Sequence, residues 1–322
     1  MSITSKLFQA SDTDGWDQFV GSANNGTIFH ERKFLSYHPD KRFKDHSLVF
    51  EKKGKTLALF PAAQKEIEGE KALISHPGSS YGGLVVRRDL SFRDSYDLTE
   101  ALVDHARSEG FQTIRMTLPP AIYQSRISNY LDFSFIKHGF QYLKREVSSM
   151  LTIESTPEEN LGLFRTSHRT AVRKALKSGV EIQESNDWEG FYHILETNLK
   201  IRHGVNPTHS LDELVQLKTL YPDRIRLFAA YSDNEMVAGV VNFSVNRDVV
   251  LAFYISHNEV YQELRAVNLL FYEIIKWCQE HSFNYLDFGI FTVDMDPNFG
   301  LGRFKENFGA SGVFRDTFEL RL

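Results

Sequence analysis

A single cysteine, Cys278, stands in a chain of 322 residues. No intrachain disulfide can form, and the near-absence of thiols fits a reducing compartment. No stretch approaches the roughly 18 apolar residues that a membrane-spanning helix needs. The opening residues MSITSKLFQASDTDGW hold no apolar run of the signal-peptide kind. These absences lead to the expectation of a cytoplasmic protein without a transmembrane segment. Metal signatures are missing too: the 12 histidines form no HExxH, and Cys278 has no second cysteine to pair with. No Walker A motif is present. An excess of positive charge is also lacking, since 37 Lys and Arg face 42 Asp and Glu for a net charge of −5. That balance argues against a DNA-binding protein, although a local basic patch remains open.

What is present is ample material for two cores. Hydrophobic residues make up 42% of the chain and charged residues 25%, with only nine prolines, which is the composition of a globular protein and not of a disordered one. The length suits two domains of about 150 residues each. A comparison of the chain with itself supports that division. Leu48–Glu51 and Thr56–Ala62 predict a hairpin around Lys53-Gly54, and Arg226–Tyr231 and Met236–Val245 predict another around Asp233-Asn234. A helix follows each hairpin. Tyr96–Glu109 aligns Leu98, Ala101, Leu102 and Ala106, and Val267–His281 aligns Val267, Leu270, Phe271, Ile274 and Cys278. Each helix leads into a strand, Phe111–Leu118 and Phe283–Gly289, and each half closes on a further strand, Glu146–Ile153 and Val313–Leu322. The offset stays at about 170 residues, which points to a tandem duplication, the alternative being two generic α/β halves that match by chance. The expected architecture is α/β with mixed sheets, in two domains, 1–154 and 155–322. The second opens with a helical junction over 155–180, and its last strand is free to pack on the first domain. In the junction Ser155 or Thr156 is expected to cap one helix and Ser167 a second.

Three segments resemble the Fem-type peptidyltransferases and their acyltransferase relatives in the N-acetyltransferase (GNAT) superfamily. Arg165–Ile182, RTSHRTAVRKALKSGVEI, is similar to the basic helix that opens the second domain there. Thr197–Gly204, TNLKIRHG, is similar to a helix ending in an R-x-G turn. Asp287–Gly309, DFGIFTVDMDPNFGLGRFKENFG, is similar to the closing pattern D-[FL]-G, a loop, then G-L-x-x-F-K-x-x-F-G. The resemblance implies two GNAT-like domains with a cleft between them, and transfer of an acyl or aminoacyl group to a primary amine. It implies a charged tRNA or an acyl-CoA as donor substrate. The acceptor it implies is a cell-envelope or sugar-nucleotide precursor, which would place the protein peripheral to membrane-bound precursors. A CoA-dependent N-acetyltransferase and a catalytically silent binding module of the same fold are the alternatives.

By the same resemblance Lys305 faces the cleft and stabilises negative charge, the other reading being a surface lysine. Arg202 would touch substrate. Tyr81, in the glycine-rich Gly78–Gly83, would contact the precursor. Tyr254 and His257, which close a strand, would face substrate. Charge alone adds His203. Asp287, at a strand end, is a candidate base, with Asp294 and Asp296 as alternatives. Arg169, Arg173 and Lys177, four apart on one helix face, offer a phosphate-binding stripe or simply a solvated one. At the pyrophosphate-binding turn of acetyltransferases this chain has Gln262–Asn268, QELRAVN, without glycine. Arg265 and Asn268 are the candidates there for holding the donor. Glu263 and Leu264 are expected to obstruct it, so that acetyl-CoA binds weakly. Cys278, on an apolar stripe, is expected in the core.

Overall fold

The computed structural model describes residues 3–39, 41–203 and 206–322, with the backbone alone over 201–203. The chain forms two compact units, one of residues 1–147 together with 313–322 and the other of residues 148–312.

In the first unit a sheet runs in the order Ser311–Arg321, Thr113–Thr117, Glu70–Ser75, Ala63–Ile67, Lys44–Asp45. Its one parallel pair joins Glu70–Ser75 to Thr113–Thr117. The helix Phe92–Ser108 lies between those strands in sequence and starts one turn earlier than its apolar stripe suggests. The cause is local: the Ser91 side chain accepts from the Asp94 N–H and caps the helix there. A second sheet of four strands contains the expected hairpin, Leu48–Lys52 with Lys55–Phe60. Lys53 and Gly54 both take positive φ, 54° and 70°, as a tight two-residue turn between twisted strands requires.

The second unit repeats the plan. Strands Glu181–Ser185, Ile225–Ser232, Glu235–Ser244 and Val249–His257 pair antiparallel in that order. Tyr285–Ile290 then pairs parallel with Val249–His257 and antiparallel with the end of Gln141–Thr152. The helix Ala266–Glu280 bridges the parallel pair. The turn Asp233-Asn234 again has both φ positive, 49° and 63°. Junction helix Pro157–Leu163 has Thr156 as its cap, completed by Glu159. The next helix is capped differently from expectation. It runs Thr166–Lys177 with Arg165 at the cap position, so Ser167 sits inside its first turn.

Each unit has its own apolar core, one around Leu98, Phe135 and Phe318, the other around Phe271, Phe288 and Phe308. Cys278 is buried in the second, where burial pushes its thiol pKa well up. Cys278→Ala is expected to lower stability by about 1 kcal/mol through a small cavity and to leave turnover unchanged. Thermal melts and an activity assay on one preparation check this, and lost turnover would give the thiol a chemical role.

Candidate active site

The parallel pair of the second unit keeps register only from Val249–Leu251 against Tyr285–Asp287. In helix Ala266–Glu280 the Asn268 N–H donates to the Arg265 carbonyl at 3.0 Å, while the Ala266 and Val267 N–H groups have no acceptor within the helix. No side chain caps it either: Arg265, at the cap position, is left-handed (φ 60°, ψ 28°) and makes no capping bond. A cavity of about 530 Å³ opens at this helix start. Arg265, Ala266, Val267 and Asn268 line it, with Asn198, Ile255, His257 and Phe304 on other walls.

Two amides in its wall are short of partners. Asn198 is 9% exposed, and its Nδ2 donates to Ser256 Oγ and to the His257 carbonyl, both at 3.1 Å. A carbonyl only accepts, so these bonds fix the orientation of the amide and leave Oδ1 as a buried acceptor with no partner. Asn268 is 8% exposed and its Nδ2 is likewise buried without an acceptor. Buried polar groups in folded proteins are almost always satisfied, so such a pair on residues of one cavity is its unspent hydrogen-bonding capacity.

Lys305 lies near the end of helix Phe299–Glu306, which Asn298 caps by accepting from the Leu301 N–H at 2.9 Å. Its side chain is 2% exposed, so it is not a surface lysine. Nζ donates to the carbonyls of Gly289 and Ile290 at 2.7 and 2.8 Å. Two of its three donors are thereby used. Burial lowers its pKa to about 8, opposed by the charge of Asp287. The carbonyls belong to a bulge in the strand Tyr285–Ile290, where register slips between Asp287 and Ile290. Gly289 supplies the positive φ of 75° that the bulge needs.

Asp287 braces the same bulge. It is fully buried, and its Oδ1 accepts from Ser148 Oγ at 2.6 Å and from the Gly289 N–H at 2.8 Å. This corrects its assignment as a base open to substrate: the carboxylate is engaged in holding backbone and lies away from solvent. Asp294 lies in the turn and Asp296 in the second strand of a small exposed hairpin, and neither lines the cavity.

The structure thus brings His257, Arg265 and Asn268 into one cavity; Lys305 is not a wall residue, although Phe304 on the same helix is. It does not gather the others. The Tyr254 hydroxyl pairs with His209, through the backbone N–H at 3.2 Å and Nδ1 at 2.9 Å, and Tyr254 is absent from the cavity lining. Tyr81 is buried against Phe29 and Tyr123, with the Arg315 guanidinium 5.2 Å from its ring, so it packs in the core where a precursor contact was expected. Arg169 turns its guanidinium onto the carbonyls of Gly162 and Phe164, closing a backbone turn, while Arg173 and Lys177 are exposed. None of the three lines the cavity. The side chains of Arg202 and His203 lie outside the described residues. Of the two residues expected to obstruct the helix start, Glu263 is exposed and is not a wall residue, and Leu264 is half-buried against the core. Among the described residues no cluster of three His, Cys, Asp or Glu could hold a metal.

Asn198 escaped the sequence reading, though a signal was there. Phe191, Ile194, Leu195 and Asn198 follow the i, i+3, i+4, i+7 spacing of a buried helix face, and the last of them is an amide. A polar group on an apolar stripe needs a partner or a purpose.

Residues 163–306 match the family described as the acetyltransferase (GNAT) domain. No curated protein matches the chain. Several solved structures share its fold. A FemX crystal structure aligns over 99% of this chain and 97% of its own, at 14% identity and a TM-score of 0.75. A tandem GNAT protein from the clavulanic acid biosynthesis pathway aligns over 99% and 98%, at 11% identity and a TM-score of 0.57. The C-terminal domain of a putative lysylphosphatidylglycerol synthetase from Agrobacterium fabrum aligns over 96% and 91%, at 11% identity and a TM-score of 0.59. Residues 163–306 thus match a GNAT acetyltransferase domain, and the chain as a whole shares the tandem GNAT fold of these structures.

Proposed function

We propose that the chain transfers an acyl or aminoacyl group to a primary amine of a cell-envelope or sugar-nucleotide precursor, and that the cavity at the start of helix Ala266–Glu280 receives the activated donor. One observation carries the reading: an uncapped helix start and two unsatisfied amides meet in one cavity, a few residues from a buried ammonium. The helix start attracts negative charge, which both a charged tRNA and an acyl-CoA bring as phosphate. Asn268 Nδ2 is suited to donate to an acyl carbonyl, and Asn198 Oδ1 to accept from an N–H of the donor, such as an aminoacyl ammonium. In the transfer the amine nitrogen bonds to the carbonyl carbon, and the ester C–O or thioester C–S bond breaks. One proton passes from the amine to the leaving oxygen or sulfur. The remaining donor of Lys305 is suited to the oxyanion that forms on the way.

Charged tRNA and acyl-CoA are the two donors to be compared. Mass spectrometry of candidate amine precursors, incubated with the protein and either donor, separates them. A mass gain with one donor alone names it. Binding of a donor with no mass gain on any amine would leave the silent binding module in its place.

Asn268→Leu tests the cavity itself. The change removes a buried donor that has no protein partner, so the melting temperature should hold or rise. The KM for the donor should rise about tenfold, the equivalent of one lost hydrogen bond to a polar group. An unchanged KM would move the donor elsewhere.

A further inference from the structure

The first unit carries an apolar face that its own core does not use. Helix Tyr130–Lys137 buries Ser134 and Phe135 on one side, while Tyr130, Phe133 and Ile136 stand out on the other. Phe133 is 54% exposed. Phe92, at the start of the neighbouring helix, extends the patch, its ring 5.5 Å from that of Tyr130 and 5.4 Å from that of Phe133. Ile127, three residues before the helix, is 71% exposed. Scattered apolar residues on a surface are ordinary, but several in mutual contact mark a docking site.

Charge says what docks there. Between residues 119 and 138 the bases are Arg126, Lys137 and His138 against a single acid, Asp132. Arg126 and Lys137 are exposed, and no carboxylate pairs with either among the described residues. Asp132 lies on the flank of the helix, half-buried, and burial raises its carboxyl pKa. Aromatic and branched side chains edged by free cations match the boundary of an anionic bilayer, where rings sit at headgroup depth and cations meet lipid phosphates. A second copy of the chain fits poorly, because a two-fold contact sets the same patch against itself and brings Arg126 and Lys137 near their own counterparts. Among the described residues no helix is long and apolar enough to cross a membrane, so the contact would lie along the surface.

We propose that the face formed by Phe92, Ile127, Tyr130, Phe133 and Ile136 docks the protein on an anionic lipid surface. The proposal is independent of the donor cavity, which lies in the other unit.

Co-sedimentation of the full chain with vesicles tests it, using phosphatidylcholine alone and phosphatidylcholine mixed with phosphatidylglycerol. The mixed vesicles should retain about tenfold more protein, and added salt should reduce that excess. The double variant Phe133→Ser, Ile136→Ser should lose about tenfold in retention, and Lys137→Glu a smaller, salt-sensitive part. These positions are exposed, so circular dichroism and the melting temperature should match the parent, as should turnover on a soluble amine. No retention of the parent chain, or equal retention of parent and double variant, overturns the proposal. So does concentration-dependent dimerisation that Phe133→Ser, Ile136→Ser abolishes in the absence of lipid binding, because the face would then join two copies of the chain.

Discussion

Lys305→Met is expected to lower turnover by about 10²- to 10³-fold while the protein stays folded, the loss typical of removing one donor from a developing oxyanion. The two effects separate because the lysine's contributions to stability oppose each other. Holding the ammonium in a buried site lowers its pKa from 10.5 to about 8, a cost of about 3 kcal/mol at neutral pH. Methionine relieves that cost. It also leaves the carbonyls of Gly289 and Ile290 without their donor, which costs about 1–3 kcal/mol each. The sum is near balance, so the melting temperature should move by only a few degrees. A variant melting like the parent but nearly inactive fits Lys305 as an oxyanion donor. Full activity would remove it from the mechanism.

The same group sets a pH dependence in both rate and stability. If the ammonium is the active form, turnover should fall above a pH of about 8, where the folded-state lysine loses its proton. Lys305→Arg keeps the charge at every accessible pH, so any activity it retains should lack that alkaline limb. For stability the sign runs the other way. The folded pKa lies below the unfolded one, so between about 8 and 10.5 the unfolded chain binds more protons, and the contribution of Lys305 to stability rises with pH across that window. Below it the cost is constant.

The elements that periodicity and turn chemistry control were legible in the sequence. Lys53-Gly54 and Asp233-Asn234 sit at their hairpin tips because only a few residue types accept two positive φ values in succession. The two bridging helices follow from apolar spacing alone, within a turn at each start. The site was legible only in part, because its geometry depends on contacts that local pattern does not encode. A strand-end carboxylate reads as a base in one dimension. In three, Asp287 meets Ser148 across a neighbouring strand and the Gly289 N–H in its own, and becomes a brace. Glu263 reads as an obstruction by its place in the segment, yet the short helical turn Glu259–Leu264 carries it to the surface. Asn198 is far from the cavity's other residues in sequence, and only the fold brings them together.

The glycine-rich loop of the first unit gives the last expected result: Gly82→Ala should destabilise the protein by about 3 kcal/mol, as overpacking against rigid backbone does. A Cβ on Gly82 would lie 2.2 Å from the Ser75 carbonyl oxygen and 2.5 Å from the His76 nitrogen, both backbone atoms with no side-chain freedom to give way. The loop is pinned on every side. Gly82 N–H donates to the Thr117 carbonyl at 2.8 Å, its carbonyl pairs with His30 Nε2 at 3.1 Å, and Gly83 N–H donates to Ser75 Oγ at 2.8 Å. Burial holds His30 neutral, with a pKa lowered to about 4, so it donates to Gly82 through Nε2–H across the neutral range. Gly82 is therefore explained by its close approach to the Ser75–His76 backbone at the end of strand Glu70–Ser75. Gly15→Ala is the control. Its Cβ meets nothing within 4 Å in the helix Thr13–Ser22, so it should be neutral or stabilising by up to about 1 kcal/mol. Thermal melts should then show Gly82→Ala falling by about 10 °C and Gly15→Ala holding or rising. A Gly82→Ala chain that keeps its melting temperature but loses turnover would reverse the assignment and return the loop to substrate binding.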